Sequence, residues 1–134
     1  MNYKSISVLV GLAVWLAWTI AIRTVGHLFF VTDNPAAMII LFVGGFVLLV
    51  FVARLLFRVM ALLVQQVFLA ATLMVVPGMI LDSLLVCFFA VVFPNMPPQA
   101  GLYYGAWLLL VYAAVLVGAL TWPIGKHREQ HPHP

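Results

Sequence analysis

The 134 residues are 66% hydrophobic and 7% charged, with six Lys or Arg against three Asp or Glu; a soluble domain is charged at about a quarter of its positions, so a water-soluble globule is excluded. A net charge of +3 and a pI near 9.4 would suit a nucleic-acid binder, but the basic residues are scattered and form no patch, so neither a nucleic-acid nor a soluble partner is expected. The apolar runs are near the ~20 residues that cross ~30 Å of hydrocarbon, and the chain reads as an all-α integral membrane four-helix bundle, one domain over 1–122, with no room for a separate catalytic domain.

Span one is expected over about 6–23, with a continuation through His27 as far as Val31 left open. It exceeds the 7–15 residue core of a secretory signal and shows no A-x-A site before Arg23, so it reads as an uncleaved anchor. In Asp33-Asn34-Pro35 the Asn34 side chain can cap free amides and Pro35 suits the first helical position, where no amide is needed. Span two follows over 35–53, ended by Arg54 and Arg58. The apolar stretch 59–93 would make a straight helix of roughly 50 Å, too long to lie wholly in the membrane. Gln65 and Gln66 therefore mark the interface and 67–93 the third span. Pro77 removes the hydrogen bond to the Leu73 carbonyl, which predicts a kink at Pro77-Gly78. Pro94-Asn95-Met96-Pro97-Pro98 is a tight turn. Span four occupies 102–121, Trp122-Pro123 closes it, and 123–134 is a polar tail.

Four spans put both termini on one side. That side carries Lys4, Arg54, Arg58, Lys126 and Arg128 and the other only Arg23, so both termini are expected in the cytoplasm. Tyr103, Tyr104 and Trp107 then fall near the outer headgroups and Tyr3 and Trp122 near the inner ones. The same asymmetry argues against dual-topology dimers of the kind formed by small multidrug exporters and fluoride channels.

Asp82 is the most informative residue, because an acid near mid-span costs on the order of 3 kcal/mol on insertion scales. The Leu, Ile, Val and Phe residues around it offset that cost, but burial still favours a protonated acid or a cation beside it. Counted from the inner boundary, Arg23 and Asp82 both lie roughly 25 Å up their helices, which predicts an intramembrane ion pair; the alternative is Arg23 snorkelling to the outer interface with Asp82 neutral and hydrogen-bonded to a neighbour. Gly78, Asp82 and Ser83 share a broad face expected to line the bundle interior. Small residues mark expected packing stripes: Ala13, Ala17 and Ala21; Gly44 and Gly45; Gly101 and Gly105; Ala114 and Gly118.

His27 could ligate haem iron or a chlorophyll magnesium, although a second histidine near the spans is missing, which excludes bis-histidine haem within one chain. No cofactor is expected. The tail histidines His127, His131 and His133 have a loose spacing better read as solvated than as a metal site. The single cysteine, Cys87, cannot form an internal disulfide. No nucleophile elbow, P-loop, zinc-protease or dinucleotide motif is present, which makes an enzyme the weakest class.

Arg23, Gly26 and Phe29-Phe30, then Pro77-Gly78-Met79-Ile80-Leu81-Asp82, Phe93-Pro94-Asn95, and Gly105-Ala106-Trp107-Leu108 with Tyr112 give the chain a resemblance to a family of small bacterial membrane proteins catalogued as a domain of unknown function. The resemblance covers nearly all of residues 6–121, departing in the longer Arg58 to Val76 connection and the histidine tail, and its most specific piece is the Pro-Gly-Met-x-Leu-Asp run leading to Phe-Pro-Asn. It implies a four-span protein of the bacterial inner membrane and no assigned activity.

Two functions of different kinds follow. One is a non-enzymatic accessory subunit, packing against other transmembrane proteins or itself and braced by Arg23 and Asp82. The other is a small oligomeric ion- or proton-coupled transporter or channel in which Asp82 titrates. A pigment- or haem-binding subunit through His27 is a weaker third.

Overall fold

The computed structural model describes residues 2–122; the histidine-bearing tail, with Lys126 and Arg128, lies outside the described residues. Four long helices, α1 (Tyr3–Phe29), α2 (Pro35–Val59), α3 (Val64–Cys87) and α5 (Ala100–Thr121), are joined by short connections, and a single turn of helix, α4 (Phe89–Val92), follows α3. At 1.5 Å per residue the long helices measure roughly 33 to 40 Å, and all four are apolar enough to cross a membrane. The packing is all-α, as expected. Their outer faces carry large apolar side chains, among them Leu16 and Ile20 on α1 and Ile40, Phe51 and Leu55 on α2, an arrangement suited to lipid rather than water as solvent.

Local chemistry sets the helix ends. Asn2 caps α1 by accepting from the Ser5 amide at 3.0 Å, so the helix begins three residues ahead of the apolar run. Asn34 caps α2 through the Ala37 amide at 3.2 Å, with Pro35 in the first turn as anticipated. Arg54 and Arg58 lie inside α2 rather than beyond it, because Arg54 reaches the Thr121 hydroxyl on α5. The chain reverses after α2 through Ala61, whose φ of 52° is left-handed. Gln66 belongs to the first turn of α3, where its side-chain oxygen accepts from the Leu63 amide at 3.0 Å. Pro77 sits within α3, which continues through it to Cys87.

Helices adjacent in sequence are not the ones that pack most closely. α1 lies along α3, α3 along α5, and α5 along α2. Gly11 sets the first contact: a Cβ there would lie 2.2 Å from the Met74 carbonyl oxygen, so the two backbones touch where no side chain intervenes. Gly118 brings α5 beside α2 less tightly, a Cβ there meeting the Ala53 methyl and the Val50 carbonyl oxygen at an ordinary 3.4 Å. Gly101 receives the Phe89 ring. The apolar core falls into two clusters at opposite ends of the bundle. One holds Ile22, Phe30, Phe89, Phe93, Tyr104 and Trp107; the other holds Phe57, Val67, Ala70, Ala71 and Ala119, with Tyr3 and Trp122 packed against it. Tyr3 and Trp122 thus share one end of the bundle.

Candidate functional site

Between the two clusters, α1 and α3 bring a carboxylate into an aromatic setting. Asp82 is 4% exposed. The Trp15 indole Nε1 donates to its Oδ1 at 2.8 Å, and the Tyr112 hydroxyl of α5 donates to its Oδ2. Gly78, one turn earlier on α3, makes room for this. A Cβ at that position would come within 2.9 Å of the Tyr112 hydroxyl and 3.4 Å of Trp15 Cδ1. The rings continue on both sides, with Trp18 stacked on Trp107 at 4.8 Å and 20°. The Tyr104 hydroxyl faces the Trp18 indole N–H at a geometry short of a full hydrogen bond, and Gly45 of α2 lies beneath Trp107 Nε1.

The expected Arg23–Asp82 ion pair is not formed. Arg23 is exposed, and its Nη1 donates to the Val92 carbonyl at 2.9 Å. The Gly11–Met74 contact puts Arg23 level with about residue 86, roughly one helical turn beyond Asp82, and Arg23 lies about 80° around α1 from Trp15 at 100° per residue. A second force favours the observed partner. Val92 ends α4, where carbonyls lack helical donors and attract cations. The Asn95 amide donates in return to the Ile22 carbonyl at 3.0 Å, so Arg23 and Asn95 together tie the end of α1 to the α4 turn.

The other anticipated residues divide. Gly45, Gly101, Ala114 and Gly118 pack within the chain, and Gly105 touches Val86. Ala13, Ala17 and Gly44 face outward, Gly44 with no atom within 4 Å of a Cβ placed there, and Ala21 is half-buried. The inward stripe of α1 is instead Ser7, Gly11, Trp15, Trp18, Ile22 and Gly26. Its spacing of three and four was a signal in the sequence, masked by the alanine series beside it. Ser83 is exposed and bonds its own helix at Ile80, contrary to the expected interior face. Tyr104 and Trp107 turn into the core, while Tyr103 is exposed. His27 is exposed in the last turn of α1. Among the described residues no group of three or more His, Cys, Asp or Glu could hold a metal ion.

Beside this site lies a cleft of about 550 Å³, with Val14 and Trp18 of α1 forming one wall, Ile40 and Leu48 of α2 the other, and Asp82 and Tyr112 at its base. Val14, Ile40 and Leu48 are more than half exposed, so the mouth opens between α1 and α2 toward the surroundings of the bundle.

Four apolar spans around a buried acid that has no ion pair among the described residues define a multi-pass membrane protein in contact with the lipid bilayer. The chain belongs to a family of unknown function, DUF5367, whose model matches residues 29–123. That stretch includes Asp82, Trp107 and Tyr112 and leaves out Trp15 and Arg23. No curated protein and no solved structure matches the chain.

The contacts predict a contrast between two double-mutant cycles. Unfolding free energies in mild detergent should give a Tyr112→Phe/Asp82→Asn coupling of about 1 kcal/mol or more, as for groups in direct hydrogen-bond contact, and an Arg23→Leu/Asp82→Asn coupling within about 0.5 kcal/mol of zero. A strong Arg23 coupling would restore the ion pair.

Proposed function

We propose that the protein is a non-enzymatic membrane carrier or channel of the ion- or proton-coupled kind, in which Asp82 is the binding and titrating group. One observation supports the reading above the others: among the described residues Asp82 is held by the neutral donors Trp15 and Tyr112 and by no cation, and it lines a cleft. Intramembrane acids without a structural counter-ion are a feature of ion and proton paths. We place the protein in a bacterial inner membrane with both termini in the cytoplasm, on the strength of the Lys and Arg bias and of Tyr3 and Trp122 sharing one end. We also take α3 to bend at Pro77-Gly78, where the Leu73 carbonyl has lost its amide partner.

The test is proton flux into proteoliposomes carrying an internal pH dye. Wild type and Arg23→Leu should conduct or exchange protons, while Asp82→Asn, purified with unchanged assembly, should not. An Asp82→Asn protein as active as wild type would end this reading.

An accessory subunit is the second reading, favoured by Ala13, Ala17 and Gly44, small residues on the outer face of the bundle where another helix could approach closely. Mild-detergent purification from the native membrane separates the two: stoichiometric recovery inside a larger assembly supports the accessory role, and recovery alone or as a homo-oligomer removes it.

A further inference from the structure

We infer that the cleft beside Asp82 binds a hydrophobic organic monocation, admitted sideways from the bilayer between α1 and α2. The inference rests on the reading of Asp82 as a binding group and adds the chemical class of what it binds.

Charge is the first argument. Asp82 is a buried carboxylate whose two hydrogen bonds among the described residues come from neutral donors, and Arg23, one turn further along the bundle, is committed to the Val92 carbonyl. A carboxylate keeps acceptor capacity beyond two bonds, so a cation can approach without breaking either. The remaining wall then selects the kind of cation. A hard metal ion stripped of water needs about six oxygen ligands, whereas apart from Asp82 and Tyr112 the lining side chains offer indole nitrogens, which donate and do not ligate, and the soft Met74 thioether. An organic cation needs no such shell. Its charge can be met by one carboxylate and by aromatic rings, three of which are tryptophans, the ring type most favourable to cations, and its apolar substituents by Val14, Leu48, Leu49 and Val111.

Volume and access agree with that chemistry. About 550 Å³ lies within the roughly 300 to 1,000 Å³ of small-molecule sites. Both ends of the bundle are closed by apolar clusters, with Phe89, Phe93 and Tyr104 at one end and Phe57 and Val67 at the other, and the exposed Ile40 and Leu48 mark the open side. A compound arriving that way must already partition into lipid.

Equilibrium dialysis of the purified full-length protein in detergent against tetraphenylphosphonium tests this, with triphenylphosphine oxide as a neutral aromatic control. Wild type should bind the cation saturably and the neutral compound far more weakly. Asp82→Asn should lose about thirtyfold or more in affinity, the effect of removing one member of a buried charge pair, and Trp18→Leu about fivefold. Leu48→Trp, which narrows the mouth without touching Asp82, should also weaken binding, so Trp18→Leu and Leu48→Trp decide the matter should Asp82→Asn not fold. No saturable binding by wild type, equal binding of the neutral compound, or affinity indifferent to these changes would overturn the inference. Asp82-dependent proton flux together with absent phosphonium binding would overturn the cation class alone; loss of both would remove the underlying function as well.

Discussion

Gly11→Val is expected to unfold the bundle, while Ala17→Val, six residues further along the same helix, leaves it intact. At position 11 even a Cβ would stand 2.2 Å from the Met74 carbonyl oxygen and 2.7 Å from its Cα. Both atoms are backbone, so nothing can rotate aside and α1 has to withdraw from α3. Withdrawal also draws Trp15 from Asp82 and Ile22 from Asn95. The combined cost should exceed about 3 kcal/mol, the upper range for overpacked interiors. Ala17 is exposed on the outer face of the bundle, where a larger side chain meets no backbone of this chain. Denaturant titration of tryptophan fluorescence in mild detergent measures both variants, and wild-type stability for Gly11→Val would refute the α1–α3 register.

Gly78→Ala should do the opposite: keep the fold and lose the site. The added methyl meets the Tyr112 hydroxyl at 2.9 Å, the far end of a side chain that can swing away. The helix gains about 1 kcal/mol of propensity from replacing glycine, which offsets the crowding, so the unfolding midpoint should barely move. The side chain that has to yield, however, is the one that donates to Asp82, so the Tyr112–Asp82 hydrogen bond is expected to be lost. In the Gly78→Ala background the Tyr112/Asp82 coupling should fall to near zero, and proton flux should drop to the level of Asp82→Asn. Retained flux with a retained coupling would show that Gly78 does not shape the site.

The number of helices, their apolar outer faces and the Asn34-Pro35 start were legible in the sequence because each rests on local rules: span length, capping and the missing proline amide. The partner of Asp82 was not. Counting residues from an assumed boundary placed Arg23 level with it, but register in a bundle is fixed where backbones touch, and that point, Gly11 against Met74, depends on a glycine that composition does not distinguish from others. The alanine series at 13, 17 and 21 has the spacing of a packing stripe, although in lipid a small residue facing outward costs little and carries no information about which side is inside. Trp15 and Tyr112 were equally hidden. In membrane helices aromatic residues usually report interface depth, and only the fold shows these two turned toward an acid.

That α1 finds its closest neighbour in α3 and α2 in α5 bears on how the protein is made. Met74 follows Gly11 by 63 residues, which at about 5 to 20 residues per second of synthesis is a delay of roughly 3 to 13 s. During that interval neither of the first two segments has its closest partner of the finished fold available, and each is kept in the bilayer by its own hydrophobicity. The near-uniform apolarity of the second segment, excessive for a helix with a ready partner, suits a helix that has to persist unaccompanied until the last one arrives.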